Sequence, residues 1–172
     1  MEAMEMEVQK LNNKAWIVLF FISVFHFSCQ IEPGFEENTS LGSGGWPEKQ
    51  KIVYDISQIP ETGEYDFQVL IRQDNNYPFY NCFLLTEITD QKGKILKKGL
   101  AEAFFYDQKT GKPKGQGLGD LFSHQYIIFD HLYLKKGSRI NIKIRQFMRR
   151  DTLQGIVSVG YALKPVVKNG KN

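Results

Sequence analysis

Short segments in which apolar and polar residues alternate constrain the fold of this chain more than any other feature. In "RINIKIRQF" (139–147), Ile140, Ile142 and Ile144 fall on one side of an extended strand, and polar residues fall on the other. A period of two is typical of a β-strand with one buried face and one solvated face. Six further segments are rich in β-branched and aromatic residues: 51–57, 64–73, 81–89, 99–107, 125–134 and 155–163.

The connections between these segments carry turn-forming residues. "PETG", "DNNYP", "QKGK", "KTGKPKG" and "KKGS" each contain Gly, Pro, Asn or Asp at the point where the chain must reverse. Short strands at near-regular spacing, without an amphipathic helix between them, predict an all-β fold. We expect a single antiparallel β-sandwich or jelly-roll-like domain. We place it at residues 49–166, a length sufficient for one hydrophobic core.

The first 28 residues are predicted to be a lipoprotein signal peptide that is removed. An uncharged run from Ala15 to Cys29 follows Lys10 and Lys14, and it is shorter than the roughly 20 apolar residues of a membrane-spanning helix. Ser28 suits cleavage that leaves Cys29 as the first residue, where acyl chains such as palmitate attach in bacterial lipoproteins. Each buried methylene contributes about 0.8 kcal/mol to membrane attachment, so several chains hold a domain firmly.

Residues 29–48 are predicted to be a flexible tether between the lipid and the domain. Gly, Pro, Ser and acidic residues dominate "CQIEPGFEENTSLGSGGWPE", and no hydrophobic period runs through it. Such a composition buries too little apolar surface to fold by itself. At the other end of the chain, residues 167–172 are predicted to be a disordered tail.

Charge and cysteine content narrow the range of partners. Removal of residues 1–28 takes two Lys and three Glu from totals of 22 basic and 19 acidic residues, which leaves a net charge of about +4. No basic stripe is interleaved with aromatic residues, so we expect no nucleic-acid binding. If Cys29 carries lipid, Cys82 has no disulfide partner. The apolar neighbours in "NCFLL" predict that its thiol is buried and unreactive.

The residues offer no catalytic set, cofactor motif or metal site. The glycine-rich "GKPKGQGLGD" (111–120) is followed by a strand pattern instead of a helix, which predicts a bent loop and not a phosphate loop. Asp120 and His124 would lie about 13 Å apart along a strand, too far to share one ion. Ser123 and His124 are adjacent, so they would point to opposite faces. We predict a protein that is not an enzyme and that binds no small-molecule substrate.

The segment from Ile144 to Pro165 permits two interpretations. Met148, Arg149 and Arg150 crowd the end of one strand, and the next strand begins near Gly155. Polar residues on loops held by a rigid sandwich commonly form binding sites. Alternatively, residues such as Gln146 and Arg149 satisfy backbone groups at the end of the sheet. The residues alone leave both interpretations open.

Three stretches in chain order resemble the GldH gliding-motility lipoprotein family of the Bacteroidetes. They are "RQDNNYPFYN" (72–81), "GQGLGD" (115–120) and "IRQFMRRDTLQGIVSVG" (144–160), within a resemblance that spans about residues 22–165. The resemblance implies a non-enzymatic envelope lipoprotein that supports cell movement over surfaces and the linked type IX secretion machinery. Its partners would be the membrane and other gliding or secretion proteins of the envelope. We expect a lipid anchor in the outer membrane, with the domain facing the periplasm.

The resemblance also supplies candidate interaction residues by position, and Tyr80 joins them as an aromatic side chain of the "YPFYN" stretch. These candidates are Arg72, Tyr77, Tyr80, Asn81, Asp120, Gln146, Met148, Arg149 and Gly155. An alternative hypothesis is a lipid-anchored sandwich that binds a carbohydrate or another ligand. Its stacking aromatic side chains would be Trp46, Tyr77, Phe79 and Tyr80, although an aromatic turn that packs into the core explains the same residues.

Overall fold

The computed structural model describes residues 34–167 of the chain. Within this range the chain forms eleven β-strands, and its one helical segment is a 3-10 turn at Gly42–Gly44. In chain order the strands are β1 (Phe35–Ser40), β2 (Trp46–Pro47), β3 (Ile52–Ile56), β4 (Gly63–Asp74), β5 (Asn81–Asp90), β6 (Ile95–Phe104), β7 (Gln116–Leu118), β8 (Leu121–Leu134), β9 (Ile140–Gln146), β10 (Thr152–Leu153) and β11 (Ile156–Pro165).

The strands form two main antiparallel sheets and one short pair. The five-stranded sheet has the order β1-β11-β4-β8-β7, and the four-stranded sheet has the order β3-β9-β5-β6. Strands β10 and β2 pair separately over two residues each. This arrangement confirms the predicted all-β antiparallel sandwich. No helix in the described part of the chain is long and apolar enough to cross a membrane.

The apolar residues of the alternating pattern form the hydrophobic core. Ile140, Ile142 and Ile144 of β9 are buried, and the residues between them are half-buried on the outer side. From the five-stranded sheet, Phe67 and Val69 of β4 are buried in the same core. Full burial of one such side chain contributes about 1.5–3 kcal/mol. The buried sides of strands from both sheets therefore form one hydrophobic core between the sheets.

Part of the predicted tether belongs to the sandwich, so the tether prediction is wrong for residues 35–48. Strand β1 pairs with β11 from Phe35 opposite Leu163 to Ser40 opposite Ser158. Trp46 is 0% exposed. The composition is misleading here because β1 is an edge strand with mostly solvated side chains, which hides the period of two. The predicted signal peptide, residues 29–33 of the tether, and residues 168–172 of the tail lie outside the described residues.

Two strands begin earlier than the sequence predicts. Strand β6 runs over Ile95–Phe104 instead of 99–107, because Lys97 and Lys98 belong to an exposed edge strand and not to the preceding turn. Strand β8 begins at Leu121 because residues 116–118 form β7 and pair with residues 121–123. The glycine-rich segment thus ends in a hairpin turned by Gly119 and Asp120, which confirms a bent loop. Gly119 has a φ of +61° in this turn.

Candidate functional site

The predicted interaction residues separate into a set that packs within the domain and a set on the surface. The first set lies in the turns and strand ends that close one end of the sandwich: Tyr77, Asn81, Gln146, Met148 and Gly155. The second set is exposed: Arg72, Tyr80, Asp120 and Arg149. The structure therefore does not bring the nine candidates together into one site.

Gln146 holds the turn that follows β9. Its Nε2 donates a hydrogen bond to the Arg150 carbonyl at 2.7 Å, and its Oε1 accepts one from Met148 N at 2.8 Å. The Phe83 amide approaches Met148 Sδ at 3.1 Å. Gln146 is fully buried, so the interpretation in which it satisfies backbone groups applies to this residue. Arg149 occupies the same turn in the left-handed region, with a φ of +54°.

The "YPFYN" stretch packs against the core through Tyr77. Tyr77 Oη donates to the Asn81 carbonyl at 2.7 Å, and its ring lies 5.0 Å from the Phe105 ring. The amide of Asn81 donates to Glu102 on the neighbouring strand β6. Gly155 approaches this turn so closely that a Cβ atom would lie 2.6 Å from Tyr77 Cα. These contacts give Tyr77, Asn81 and Gly155 structural roles.

Two of the four aromatic residues in the carbohydrate-binding hypothesis are buried, so the hypothesis is wrong for these two. Tyr77 is 4% exposed and Trp46 is 0% exposed, so neither ring presents a face to a sugar. Phe79 is half-buried, with the Arg150 guanidinium 5.6 Å above its ring. Tyr80 is about half exposed and stacks on Phe104 at 6.1 Å. Tyr80 is therefore the most exposed ring of the four.

Cys82 is fully buried in β5, which agrees with the sequence prediction. It is a free thiol, and burial raises its pKa to about 12. The reactive thiolate is therefore almost absent at neutral pH. Cys29 lies outside the described residues, so its lipidation remains a prediction.

A groove crosses the outer face of the five-stranded sheet and holds one of the surface candidates, Arg72. We call it the five-strand groove, and its volume is about 390 Å³. It is lined by Glu36, Asn38, Leu70, Ile71, Arg72, Phe104, Lys114, Gly115, Gln116, Ser123, His124, Gln125, Tyr126 and Ser158. Hydroxyl, amide and charged side chains line the groove together with apolar ones, so the groove offers hydrogen-bonding groups to a polar ligand.

Strand register places Arg72 in the middle of the five-strand groove. Ser158 of β11 lies opposite Arg72 on one side, and Ser123 of β8 lies opposite it on the other. Arg72 Nε lies 3.3 Å from Ser123 Oγ. Among the described residues no carboxylate lies within 4.0 Å of its guanidinium group. This cation is available to an acceptor from outside the chain.

The remaining surface candidates relate to the five-strand groove in different ways. Tyr80 stacks on Phe104, a groove residue, and Lys114 Nζ lies 5.6 Å from the centre of the same Phe104 ring. Asp120 accepts a hydrogen bond from Asn75 Nδ2 at 2.9 Å, which links the β7–β8 hairpin to the loop after β4. Arg149 belongs to the turn after β9 and does not line the groove.

His124 forms a buried part of the groove wall. Its ring stacks on Phe105 at 4.6 Å, and its Nδ1 lies 3.3 Å from Tyr126 Oη. Its buried Nε2 has no hydrogen-bond partner among the described residues. Burial lowers its pKa to about 4, so the ring is neutral at physiological pH. No group of three potential metal ligands occurs in the described part of the chain.

Several groove residues were not singled out from the sequence. The sequence predicts that Asn38 lies in the tether, and it offers Ser123 and His124 only as candidates for catalysis or metal binding, which their spacing disfavours. Their proximity to Arg72 depends on pairing between β4 and strands far away in the chain. Alternation predicts that Ser123 and Gln125 share a face, but it does not predict which strand lies beside them.

The amino-acid sequence of the chain matches a family of known proteins. A family model described as GldH lipoprotein matches residues 34–163. The gliding motility lipoprotein GldH homolog of Christiangramia forsetii is 27% identical over 158 residues, which cover 87% of this chain and 93% of that protein. The gliding motility lipoprotein GldH of Flavobacterium johnsoniae is 26% identical over 158 residues, with coverage of 86% and 94%.

The chain also aligns with solved structures at low similarity. A family 35 carbohydrate binding module from Clostridium thermocellum aligns with a TM-score of 0.35 and 15% identity, over 74% of this chain and 86% of that chain. A similarity at this level supports no conclusion about function.

Proposed function

The chain belongs to the GldH lipoprotein family, and from this we propose that it supports gliding motility as a lipid-anchored, non-enzymatic interaction module of the cell envelope. The observation that carries the proposal is the family match across the whole sandwich, together with two relatives named as gliding motility lipoproteins. The proposal includes support of the type IX secretion machinery. It also includes an anchor in the outer membrane, with the sandwich facing the periplasm.

The proposed membrane attachment is acylation of Cys29. Strand β1 begins at Phe35, six residues later, and six extended residues span at most about 20 Å. The anchor would therefore hold the sandwich close to the bilayer surface. The connection is short because strand β1 begins within the segment that the sequence predicts to be a tether.

A Cys29→Ala variant tests the anchor. We expect the protein to leave the membrane fraction and the cells to lose gliding, because no other acylation site is proposed. Cys82→Ala is the matched control, since it removes the other cysteine from the core without touching the anchor. Normal membrane fractionation and normal gliding of the Cys29→Ala strain would disprove lipid attachment at this residue.

We propose the five-strand groove as the contact surface for a protein partner. The supporting observation is the exposed Arg72 guanidinium, which lies between two serines and has no carboxylate partner among the described residues. A carboxylate of a partner protein would form a charge-assisted hydrogen bond with it. Arg72→Glu should abolish gliding while changing the free energy of unfolding by less than about 0.5 kcal/mol.

Lys164→Glu is the matched control for Arg72→Glu. Lys164 lies on the outer side of the same sheet, opposite Asp66 and outside the groove, and the substitution makes the same charge change. A photo-crosslinking residue at Gln125 would identify the envelope proteins that contact the groove. If the Arg72→Glu strain glides normally, or if both variants lose gliding equally, the groove is not the partner surface.

A second candidate function is recognition of a carbohydrate in the five-strand groove. The groove combines amide and hydroxyl groups with Phe104, and Tyr80 stacks on this ring. Sugars require both hydrogen-bonding groups and an aromatic surface. Glycan-array binding that is lost in Tyr80→Ala and retained in Tyr133→Ala would favour this function. Tyr133 is an exposed tyrosine of β8 that does not line the groove. Absence of glycan binding would exclude it.

A further inference from the structure

Four basic side chains surround one carboxylate on the outer side of the four-stranded sheet. Lys51, Lys98, Lys143 and Arg145 line a shallow depression of about 230 Å³ around Glu87. We call these four basic residues and their surroundings the basic face. Lys98 belongs to β6, Lys143 and Arg145 belong to β9, and Lys51 directly precedes β3, so the tertiary structure assembles the cluster.

The single carboxylate does not balance these charges. Lys98 Nζ lies 3.0 Å and Lys143 Nζ 3.7 Å from the two Glu87 oxygens. The hydrogen bond from Lys98 is the main cause of a lowered Glu87 pKa, so this carboxylate stays ionised. Lys51 and Arg145 have no carboxylate within 4.0 Å among the described residues. The cluster therefore presents an excess of positive charge to its surroundings.

Exposed apolar side chains lie among the basic ones. Val53 is 48% exposed and lies opposite Lys143 in the β3–β9 pair. Phe147 is 41% exposed, and the Arg145 guanidinium lies 5.7 Å from the centre of its ring. Leu100 is 53% exposed and lies opposite Leu85, which lines the depression. A surface with mixed cations and apolar groups matches the interface of a bilayer, where phosphates lie above acyl chains.

The strands of the two sheets differ in net charge. The strands of the five-stranded sheet carry two basic residues, Arg72 and Lys164, and six carboxylates. The carboxylates are Glu36, Glu37, Glu64, Asp66, Asp74 and Asp130. The strands of the four-stranded sheet carry four basic and four acidic residues, so the excess of positive charge on that side is local to the depression. An anionic surface would therefore attract the depression and repel the five-stranded sheet, which orients the domain.

The chain between Cys29 and β1 is long enough for the basic face to reach the bilayer. Strand β1 lies over β3 of the other sheet, because Tyr54 Oη of β3 lies 2.9 Å from Thr39 Oγ1 of β1. Packed sheets lie about 10 Å apart, and the six residues before β1 span up to about 20 Å. The lipid can thus enter the membrane on the side of the four-stranded sheet.

We propose that the basic face docks onto the anionic phospholipid headgroups of the membrane that holds the lipid anchor. The five-strand groove then faces away from the bilayer and stays accessible to a partner. This inference rests on the proposed lipidation of Cys29 for its biological setting. The short connection to β1 and the exposed Val53, Leu100 and Phe147 favour a bilayer over an acidic protein as the occupant.

Vesicle binding by the unlipidated protein tests this docking separately from the anchor. A chain that begins at residue 29 with Cys29→Ser keeps the entire described core and carries no acyl group. We expect it to sediment with vesicles of phosphatidylcholine and phosphatidylglycerol at low salt. It should bind pure phosphatidylcholine vesicles weakly and leave the mixed vesicles at high salt, because screening weakens attraction between surface charges.

Variants locate the binding surface. Lys143→Gln/Arg145→Gln should weaken binding to the mixed vesicles about 30-fold, which corresponds to about fivefold for each basic residue near an anionic surface. Lys136→Gln/Lys164→Gln removes the same charge from positions outside the basic face, and its affinity should stay within about threefold. Thermal unfolding of both double variants verifies that they are folded.

Several outcomes would overturn the proposal. One is a lack of binding to the mixed vesicles, and another is equal weakening by the two double variants. Binding to polyglutamate without binding to vesicles would assign the face to an acidic protein. Displacement from vesicles by millimolar inorganic phosphate, at constant ionic strength, would assign it to a free anion. None of these results affects the Cys29 anchor, which membrane fractionation of the Cys29→Ala strain tests independently.

Discussion

At the scale of single residues, Gln146 and Gly155 lie in the turns that close one end of the sandwich. Gln146 forms hydrogen bonds with two backbone groups of the β9–β10 turn, which would otherwise lack a partner. Gly155 has a φ of +80° and touches the backbone around Tyr77. Both were candidates for contact with a partner, and both have a structural reason for their identity.

We predict that Gly155→Ala strongly destabilises the domain. The left-handed φ disfavours any Cβ, and the new Cβ would also overlap the backbone of Tyr77, so the free energy of unfolding should fall by about 3 kcal/mol or more. Gly111→Ala is the matched control, because Gly111 has a φ of +65° and open space around it. It should cost about 1 kcal/mol. Equal losses for the two variants in urea unfolding would contradict the close approach.

We predict that Gln146→Leu lowers the free energy of unfolding by about 2–4 kcal/mol. The substitution keeps the volume nearly constant but leaves the Arg150 carbonyl and the Met148 amide without their partner. Gln125→Leu, at an exposed position of β8, should change stability by less than about 0.5 kcal/mol. If urea unfolding shows no difference between these two variants, the turn does not depend on Gln146.

At the scale of elements, β1 determines how the domain meets its connection to the membrane. It covers the outer edge of β11 along six residue pairs, and Phe35 and Leu41 pack partly against the core. Without β1, the edge of β11 would expose unpaired backbone groups, which is a common cause of aggregation. The connection to the proposed anchor is consequently short.

Removal of β1 is predicted to destabilise the sandwich. A chain that begins at Gly42 should lose at least about 3 kcal/mol of unfolding free energy relative to one that begins at Gly34, since it loses Phe35, Leu41 and a complete strand. It should also aggregate through the exposed edge of β11. Urea unfolding and light scattering measure the two effects. Equal stability of both chains would restore the view that this segment is a tether.

At the scale of the whole molecule, the two sheets present different chemistry. The strands of the five-stranded sheet carry more acidic than basic residues and hold the groove around Arg72, and the four-stranded sheet carries the basic face. A sandwich whose two outer faces differ in this way can contact two different surfaces at the same time. His124 lies at the junction between the groove and the core, where its neutral ring stacks on Phe105.

Stability of the whole domain should depend on the protonation of His124. Its pKa is about 4 in the folded protein and about 6.5 in an unfolded chain, so between these values the unfolded chain binds more protons. The neutral ring contributes fully to the free energy of unfolding above pH 6.5, and this contribution is lost as the pH falls towards 4. We expect this loss to be about 2 kcal/mol, after allowance for partial solvation of the ring beside the groove.

A His124→Phe variant isolates this effect from the carboxylates, which titrate in an overlapping range. The difference in unfolding free energy between parent and variant should change by about 2 kcal/mol between pH 7 and pH 4.5, in favour of the variant at low pH. Urea unfolding at several pH values measures it. A difference that stays constant across this range would show that His124 is not buried as a neutral ring.

The sequence was sufficient for most strands and for the buried side of each strand. The alternation in 139–147 and 64–73 corresponds to β9 and β4, because burial of one face is a local property of an extended chain. It was insufficient for β1, in which only Phe35 and Thr39 are partly buried and no period is visible. It also did not distinguish the structural Gln146 from the exposed Arg72, since burial of a polar residue depends on what packs over it.

The sequence by itself determined the all-β class, the turn positions and the family resemblance, all of which depend on residues close together in the chain. Only the tertiary structure decided that Arg72 lies between Ser158 and Ser123, and that Lys51, Lys98, Lys143 and Arg145 share one face. Both sets meet through pairing of strands that are distant in the chain. Register between such strands is selected by the packing of the complete core, and no local pattern specifies it.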